Sequence, residues 1–222
     1  DASCVSAATE AALAALTYDP NAMDMDEDED INMDDDELEL DDVSDDDDMS
    51  WRIRRAACRV LGTLYEHGCM DASHAPRIAA SLADRLIERE ETVRLEALAA
   101  LMHVLRVAPR ALGPHTQMVH ALSSWRSATA QVAALQALTT LVASLGADLP
   151  QSDVALHTAL SVIEDDAAAS HYSKGRCMAG LELLKQMCLS APTVVLADVD
   201  RVSNTLAQVS CQPHHRTALE AL

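Results

Sequence analysis

The sequence predicts an all-α fold built from repeated helix pairs, and three observations predict it. First, one short pattern recurs: a small residue, an apolar one, two others, then Leu. It appears at Ala57-Cys58…Leu61, Ala97-Leu98…Leu101, Ala134-Leu135…Leu138, Gly180-Leu181…Leu184 and Ala218-Leu219…Leu222, with leucines 40, 37, 46 and 38 residues apart. Second, apolar residues around these sites follow helical and not strand spacing: Ile53, Ala57, Val60, Leu61, Leu64; Leu98, Leu101, Met102, Leu105; Cys177, Leu181, Leu184, Cys188. Third, Pro76, Pro114 and Pro150 are 38 and 36 residues apart. They stand near helix starts, where the missing N–H costs little.

A period near 40 with helical content is that of HEAT and armadillo repeats. The expectation is therefore an α-solenoid of about four to five HEAT-type units over residues 1–222. One helix pair cannot bury its apolar face alone, so each unit needs its neighbour. Unit one has a first helix at Ala7–Leu16 and its second helix at 49–66, with an acidic loop, 21–48, inserted between them. Unit two occupies 75–109, with a first helix at Ala79–Ile87. Unit three occupies 113–146, with Thr116–Trp125. Unit four occupies 150–190, with Val154–Ile163 and an Ala/Ser insert at Asp165–Ser173 that accounts for the spacing of 46. Unit five, 197–222, has Val199–Val209 and is truncated, so the chain is expected to be part of something longer.

Charge sharpens the picture. Of the 36 acids, 17 lie in residues 24–48 with no base among them, so the remainder is nearly neutral. A block this charged repels itself and buries too little to order, so a disordered loop is expected. Nothing suggests the clustered Lys and Arg that nucleic acid requires. Phe is absent, and Trp51, Trp125, Tyr18, Tyr65 and Tyr172 are too few for stacking platforms. No run approaches the ~18 apolar residues of a membrane span. The six cysteines form no C-x-x-C pair and read as reduced, mostly buried thiols of an intracellular protein.

No catalytic constellation emerges. A di-metal enzyme on such a scaffold needs His-Glu pairs, and the nine histidines supply none; Glu66-His67 is the reverse order. Cys211, His214 and His215, or His67, Cys69 and His74, have donors that suit zinc but lack a second cysteine at ligand spacing. Asp24, Asp26 and Asp28 imitate a calcium loop, yet Glu29 and Asp35 stand where it needs Gly and Glu. Ser123 and Ser124 lack a nucleophile elbow, and there is no P-loop. No metal, cofactor or small-molecule substrate is therefore expected. Ser44, followed by Asp45, Asp46, Asp47 and Asp48, suits an acid-directed kinase.

Arg54 and Arg94 each open a second helix, with Asp46–Asp48 and Glu88, Glu90 and Glu91 just before them. They read as a ladder that sets the angle between units. Trp51 is expected to cover the first unit's edge or, alternatively, to anchor a partner. Arg52, Arg55, Asp45, Asp46, Asp47 and Asp48 are the accompanying partner-contact candidates.

Tyr18-Asp19-Pro20-Asn21, the acidic block, and Asp45-Asp46-Asp47-Asp48-Met49-Ser50-Trp51-Arg52-Ile53-Arg54-Arg55-Ala56-Ala57 together resemble the middle of the cullin-associated, neddylation-dissociated (CAND) family of HEAT-repeat cullin regulators. Arg85-Leu86-Ile87-Glu88-Arg89-Glu90-Glu91-Thr92-Val93-Arg94 also fits that family's next repeat. The likeness is motif-dense over about 18–94 and one of register beyond. It implies a non-enzymatic scaffold that binds an unneddylated cullin with its RING-box subunit and promotes substrate-receptor exchange. It further implies a cytoplasmic and nuclear location, with no nucleic acid or membrane partner. An importin-type transport receptor, also a HEAT solenoid with an acidic insertion before a Trp, is the alternative.

Overall fold

The computed structural model describes residues 2–18, 50–111, 116–168 and 173–211. The acidic insertion with Ser44 and Asp45–Asp48, and the last copy of the small-residue pattern at 218–222, lie outside the described residues. Among the described residues every regular element is helical. In order they are α1 (Ala2–Leu16), α2 (Ser50–Glu66), α3 (Ala75–Asp84), α4 (Glu91–Val107), α5 (Thr116–Ser124), α6 (Ala128–Leu145), α7 (Ser152–Ala168), α8 (Lys174–Ser190), α9 (Pro192–Ala197) and α10 (Val199–Ser210). Short 3-10 turns extend α3 over Arg85–Ile87 and α6 over Gly146–Asp148.

Local chemistry sets several boundaries. Pro76 falls in the first turn of α3, so that helix starts at Ala75, four residues before the expected start. Ser127 caps α6 by accepting from the Ala130 amide at 3.4 Å. Gly146 ends α6 at φ +56°, and a Cβ there would lie 2.9 Å from the Ser190 carbonyl oxygen, so the site excludes a side chain twice over. Pro192 opens α9, a short helix that periodicity did not reveal.

Helices pair as α1 with α2, α3 with α4, α5 with α6 and α7 with α8. Along one side α2 packs on α4, α4 on α6 and α6 on α8; along the other, α1 meets α3, α5 meets α7 and α7 meets α10. One continuous apolar core runs between these two rows. Leu61, Leu101, Leu138 and Leu183 are each wholly buried in it. Burying a leucine contributes about 1.5–3 kcal/mol, so the repeated leucines are the main apolar anchors. The small residues let helices close in: a Cβ on Gly62 of α2 would meet Ala100 of α4 at 3.1 Å.

Some expected core positions are corrected. Ile53 and Val60 are exposed, because the buried strip of α2 runs through Ala57, Cys58, Leu61 and Tyr65 and leaves them on its edge. Cys58 and Cys177 are buried, but Cys4, Cys69, Cys188 and Cys211 are exposed. Helical spacing alone put Cys188 on the inner face, whereas it lies on the exposed side of α8. Burial pushes the Cys58 thiol up to about 12, so it is inert as a nucleophile. By length and composition α6 with its following turn could cross a membrane, but here its Ala134, Leu135, Leu138 and Val142 are core residues.

Candidate interaction surface

The helix pairs are tied together by a line of polar side chains, and Arg54 begins it. Its guanidinium donates to Glu88 Oε1 at 3.1 Å, to Ser50 Oγ at 2.7 Å and to the Tyr18 carbonyl at 3.1 Å. Glu88 stands just before α4, so the bond crosses from one helix pair to the next; Arg85 shares the same carboxylate. Among the described residues, the carboxylate that meets Arg54 thus comes from the following unit; Asp46–Asp48 lie outside them.

Arg94 of α4 donates to the Glu88 carbonyl at 3.0 Å and to that of Arg89 at 3.4 Å. Its guanidinium also lies 5.7 Å from the centroid of the Trp125 ring, within cation–π range. Trp125 sits between α5 and α6, buried, and its indole N–H donates to the Leu86 carbonyl at 3.1 Å. Ser127 donates to Glu91 at 2.8 Å, a second tie across the same junction.

Gln131 of α6 continues the line. Its amide donates to the Trp125 carbonyl at 3.1 Å, and its oxygen accepts from Arg176 of α8 at 3.0 Å. Arg176 grips the Asp166 carboxylate of α7, with its Nε at 3.0 Å and 3.1 Å and a second bond from Nη2. Asp166 is fully buried, and the pairing holds the Arg176 guanidinium above its ordinary range. Farther on, Arg201 of α10 and Thr205 bind Glu164 of α7, which lowers that carboxyl below the usual range.

Sequence reasoning singled out Arg54 and Arg94 and missed Glu88's double role, Trp125, Gln131, Arg176 and Asp166. A signal was present. Arg54, Arg94, Gln131 and Arg176 each precede Ala by three residues and Leu by seven: Ala57/Leu61, Ala97/Leu101, Ala134/Leu138 and Ala179/Leu183. This moves the fourth copy one residue ahead of Gly180/Leu184. Gly180 instead faces α7, where a Cβ would meet the Ile163 side chain at 3.0 Å.

A second group lies on the outer face of α2. Trp51 is half-buried, and the Arg52 guanidinium stacks 5.3 Å from its ring centroid. Arg55 and Arg59 both bind Glu96 of α4, at 3.4 Å and 2.8 Å. Their hydrogen bonds, that of Arg59 above all, hold the Glu96 carboxyl below its ordinary range. Glu96 and Arg59 had not been anticipated; the i, i+3, i+7 spacing of Arg52, Arg55 and Arg59 was the available sign.

A cleft of about 450 Å³ opens between α5, α6 and α7, with Leu122, Leu135 and Val154 among its walls and Arg126, Asp153 and His157 among its polar groups. Ser123 borders it, but its hydroxyl is engaged by the Val119 carbonyl and Thr158 Oγ1, both at 2.8 Å. Among the described residues no three His, Cys, Asp or Glu side chains gather as metal ligands. His74 is turned to Asp71, Nδ1 to Oδ1 at 3.1 Å, and Cys69 Sγ to the His67 carbonyl at 3.9 Å. No family model and no curated protein matches the chain.

Proposed function

We propose that this chain is a stretch of HEAT-type α-solenoid that acts by binding an elongated protein, and that the partner is an unneddylated cullin with its RING-box subunit. The observation that carries the solenoid reading is the cross-pair register: the same helix position in α2, α4, α6 and α8 holds Arg54, Arg94, Gln131 and Arg176, and each of these four meets a neighbouring pair. A row of pairs repeated in this way presents a long surface suited to a rod-like partner. Binding spread over many modest contacts would then be sensitive to one bulky mark on the partner, through a steric clash. The cullin reading rests on the ordered motif from Tyr18 through the acidic block to Trp51 and Arg54. In that role the chain has no reaction of its own. It occupies the ligase core in cytoplasm and nucleus and so lets substrate receptors exchange.

A pull-down separates this from the transport alternative. Immobilised chain is expected to retain an unmodified cullin–RING pair, to lose it when the cullin is neddylated, and to ignore Ran-GTP. Retention of Ran-GTP but not of the cullin pair would replace this reading with an importin-type receptor.

A further inference from the structure

α5 and α7 stand side by side but differ in length: α5 has nine residues and α7 has 17. They run in the same direction. The bonds from Gln131 to Trp125, and from Arg176 to Gln131 and Asp166, gather the end of α5, the start of α6, the end of α7 and the start of α8. Thr158 of α7 bonds Ser123 of α5. α5 stops one residue beyond that tie, at Ser124, whereas α7 runs on to Ala168, about 15 Å farther. The cleft of about 450 Å³ opens along this face of α7, and its volume lies in the range of ligand sites.

The cleft is apolar at Leu122, Leu135, Val154 and Val162. The charge around that lining is uneven. Asp153 and Asp165 of α7 border it, are exposed, and make no hydrogen bond or ion pair among the described residues. The same holds for Arg126, on the turn after α5. Arg201 is neutralised by Glu164. Two open carboxylates therefore outweigh one open guanidinium, and the C-terminal end of α5 adds partial negative charge. Asp153, His157, Ser161 and Asp165 follow one another at four-residue steps, all bordering the cleft. The stripe runs about 18 Å from one carboxylate to the other at 1.5 Å per residue.

We propose that this cleft binds a short basic segment of a partner protein, with apolar side chains against Leu122, Val154 and Val162 and a lysine or arginine at each end beside Asp153 and Asp165. Five steps of extended chain at about 3.3 Å each come close to the length of the stripe. Basic residues at i and i+5 with leucines between them therefore fit it. Apolar contact holds the middle of the segment, and the carboxylates fix its ends and reject an acidic one. The site follows from the unequal lengths of α5 and α7 and from the charge around the cleft, and it stands whether or not the partner is a cullin.

Nuclear magnetic resonance of the full 222-residue chain tests it, with the unlabelled peptide acetyl-Lys-Ala-Leu-Leu-Ala-Lys-amide as probe. The acidic block also attracts lysines, so the readout is local. It is the imidazole Cε1–H signal of His157, assigned by its loss in His157→Gln, with the signals of His74 and His103 as references. At fixed pH and low salt the His157 signal is expected to move saturably with peptide while the references stay in place. Asp153→Asn with Asp165→Asn should weaken the binding about fivefold, as expected for the loss of two exposed ion pairs. Both side chains are exposed, so the melting temperature of that variant should be unchanged. Arg126→Gln should tighten binding about twofold by removing the like charge. A peptide with glutamates in place of the lysines should leave His157 unmoved. A still His157 signal with the lysine peptide, equal movement with the glutamate peptide, or unchanged affinity in the double variant each overturn the proposal. Weaker binding by Arg126→Gln overturns it too and assigns the cleft to an acidic segment instead.

Discussion

The junction between α2 and α4 and the junction between α4 and α6 put different chemistry at the same helix position. At the first, Arg54 meets the Glu88 carboxylate, Arg55 and Arg59 share Glu96, and Gly62 lets α4 come close. At the second, Arg94 meets the face of Trp125, and a buried indole N–H bonds the Leu86 carbonyl. α4 and α6 touch along a shorter stretch than α2 and α4. The lesson is that one repeated arginine can serve an ionic junction or an aromatic one. Salt and acid should weaken the first kind, whereas volume loss should weaken the second.

The largest effect is expected at the aromatic junction. Trp125→Ala removes a buried ring and strands the Leu86 carbonyl, a loss of about 3–5 kcal/mol in urea unfolding. If Arg54→Ala costs as much, the contrast between the junctions disappears. Next comes Arg176→Ala, which leaves Asp166 buried without its cation. The loss should be about 3 kcal/mol, and Asp166→Asn in the same background should recover part of it. Failure to recover would mean that Arg176 acts by packing and not by charge.

Arg54→Gln should cost less, about 1.5 kcal/mol, because the glutamine amide still offers a hydrogen-bond donor to the acceptors that Arg54 now serves. The loss should shrink when unfolding is measured in molar salt, whereas the Trp125→Ala loss should not. The smallest effect is on pH dependence. Glu96 and Glu164 have carboxyls held below the ordinary value of 4.5 in the folded chain. Their contribution is therefore present above about pH 4.5 and is lost as pH falls through the lowered folded values. Melting temperatures recorded from about pH 6 down to about pH 3 should decline. Glu96→Gln with Glu164→Gln should flatten the part of that decline below the ordinary carboxyl value, and an unchanged slope would show that the two pairs add nothing.

Much of the architecture was legible because helices announce themselves by period. Ala57/Leu61, Ala97/Leu101 and Ala134/Leu138 mark buried faces that recur, and Pro76 marks a helix start. Arg54 and Arg94 could be picked out by their place in that rhythm. Glu91, which pairs with Arg94 from three residues before it, was legible too, but the more distant partners were not. Glu88 lies 34 residues beyond Arg54, and Asp166 lies before Arg176 across an insert that breaks the spacing. Periodicity also misjudged Ile53, Val60 and Cys188, because it says which residues share a face and not whether another helix covers it.

What the sequence alone determined, then, is helix content, the beat of the helix pairs and the position of the acidic block. These follow from local propensity, side-chain spacing and charge density, which need no knowledge of neighbours. Only the tertiary structure decided that Glu88 serves Arg54, that Trp125 lies beneath Arg94 and that Gln131 stands where the other pairs hold arginine contacts. Such pairings depend on how far each helix is rotated and offset against the next, and that is settled by the packing of whole faces over tens of residues.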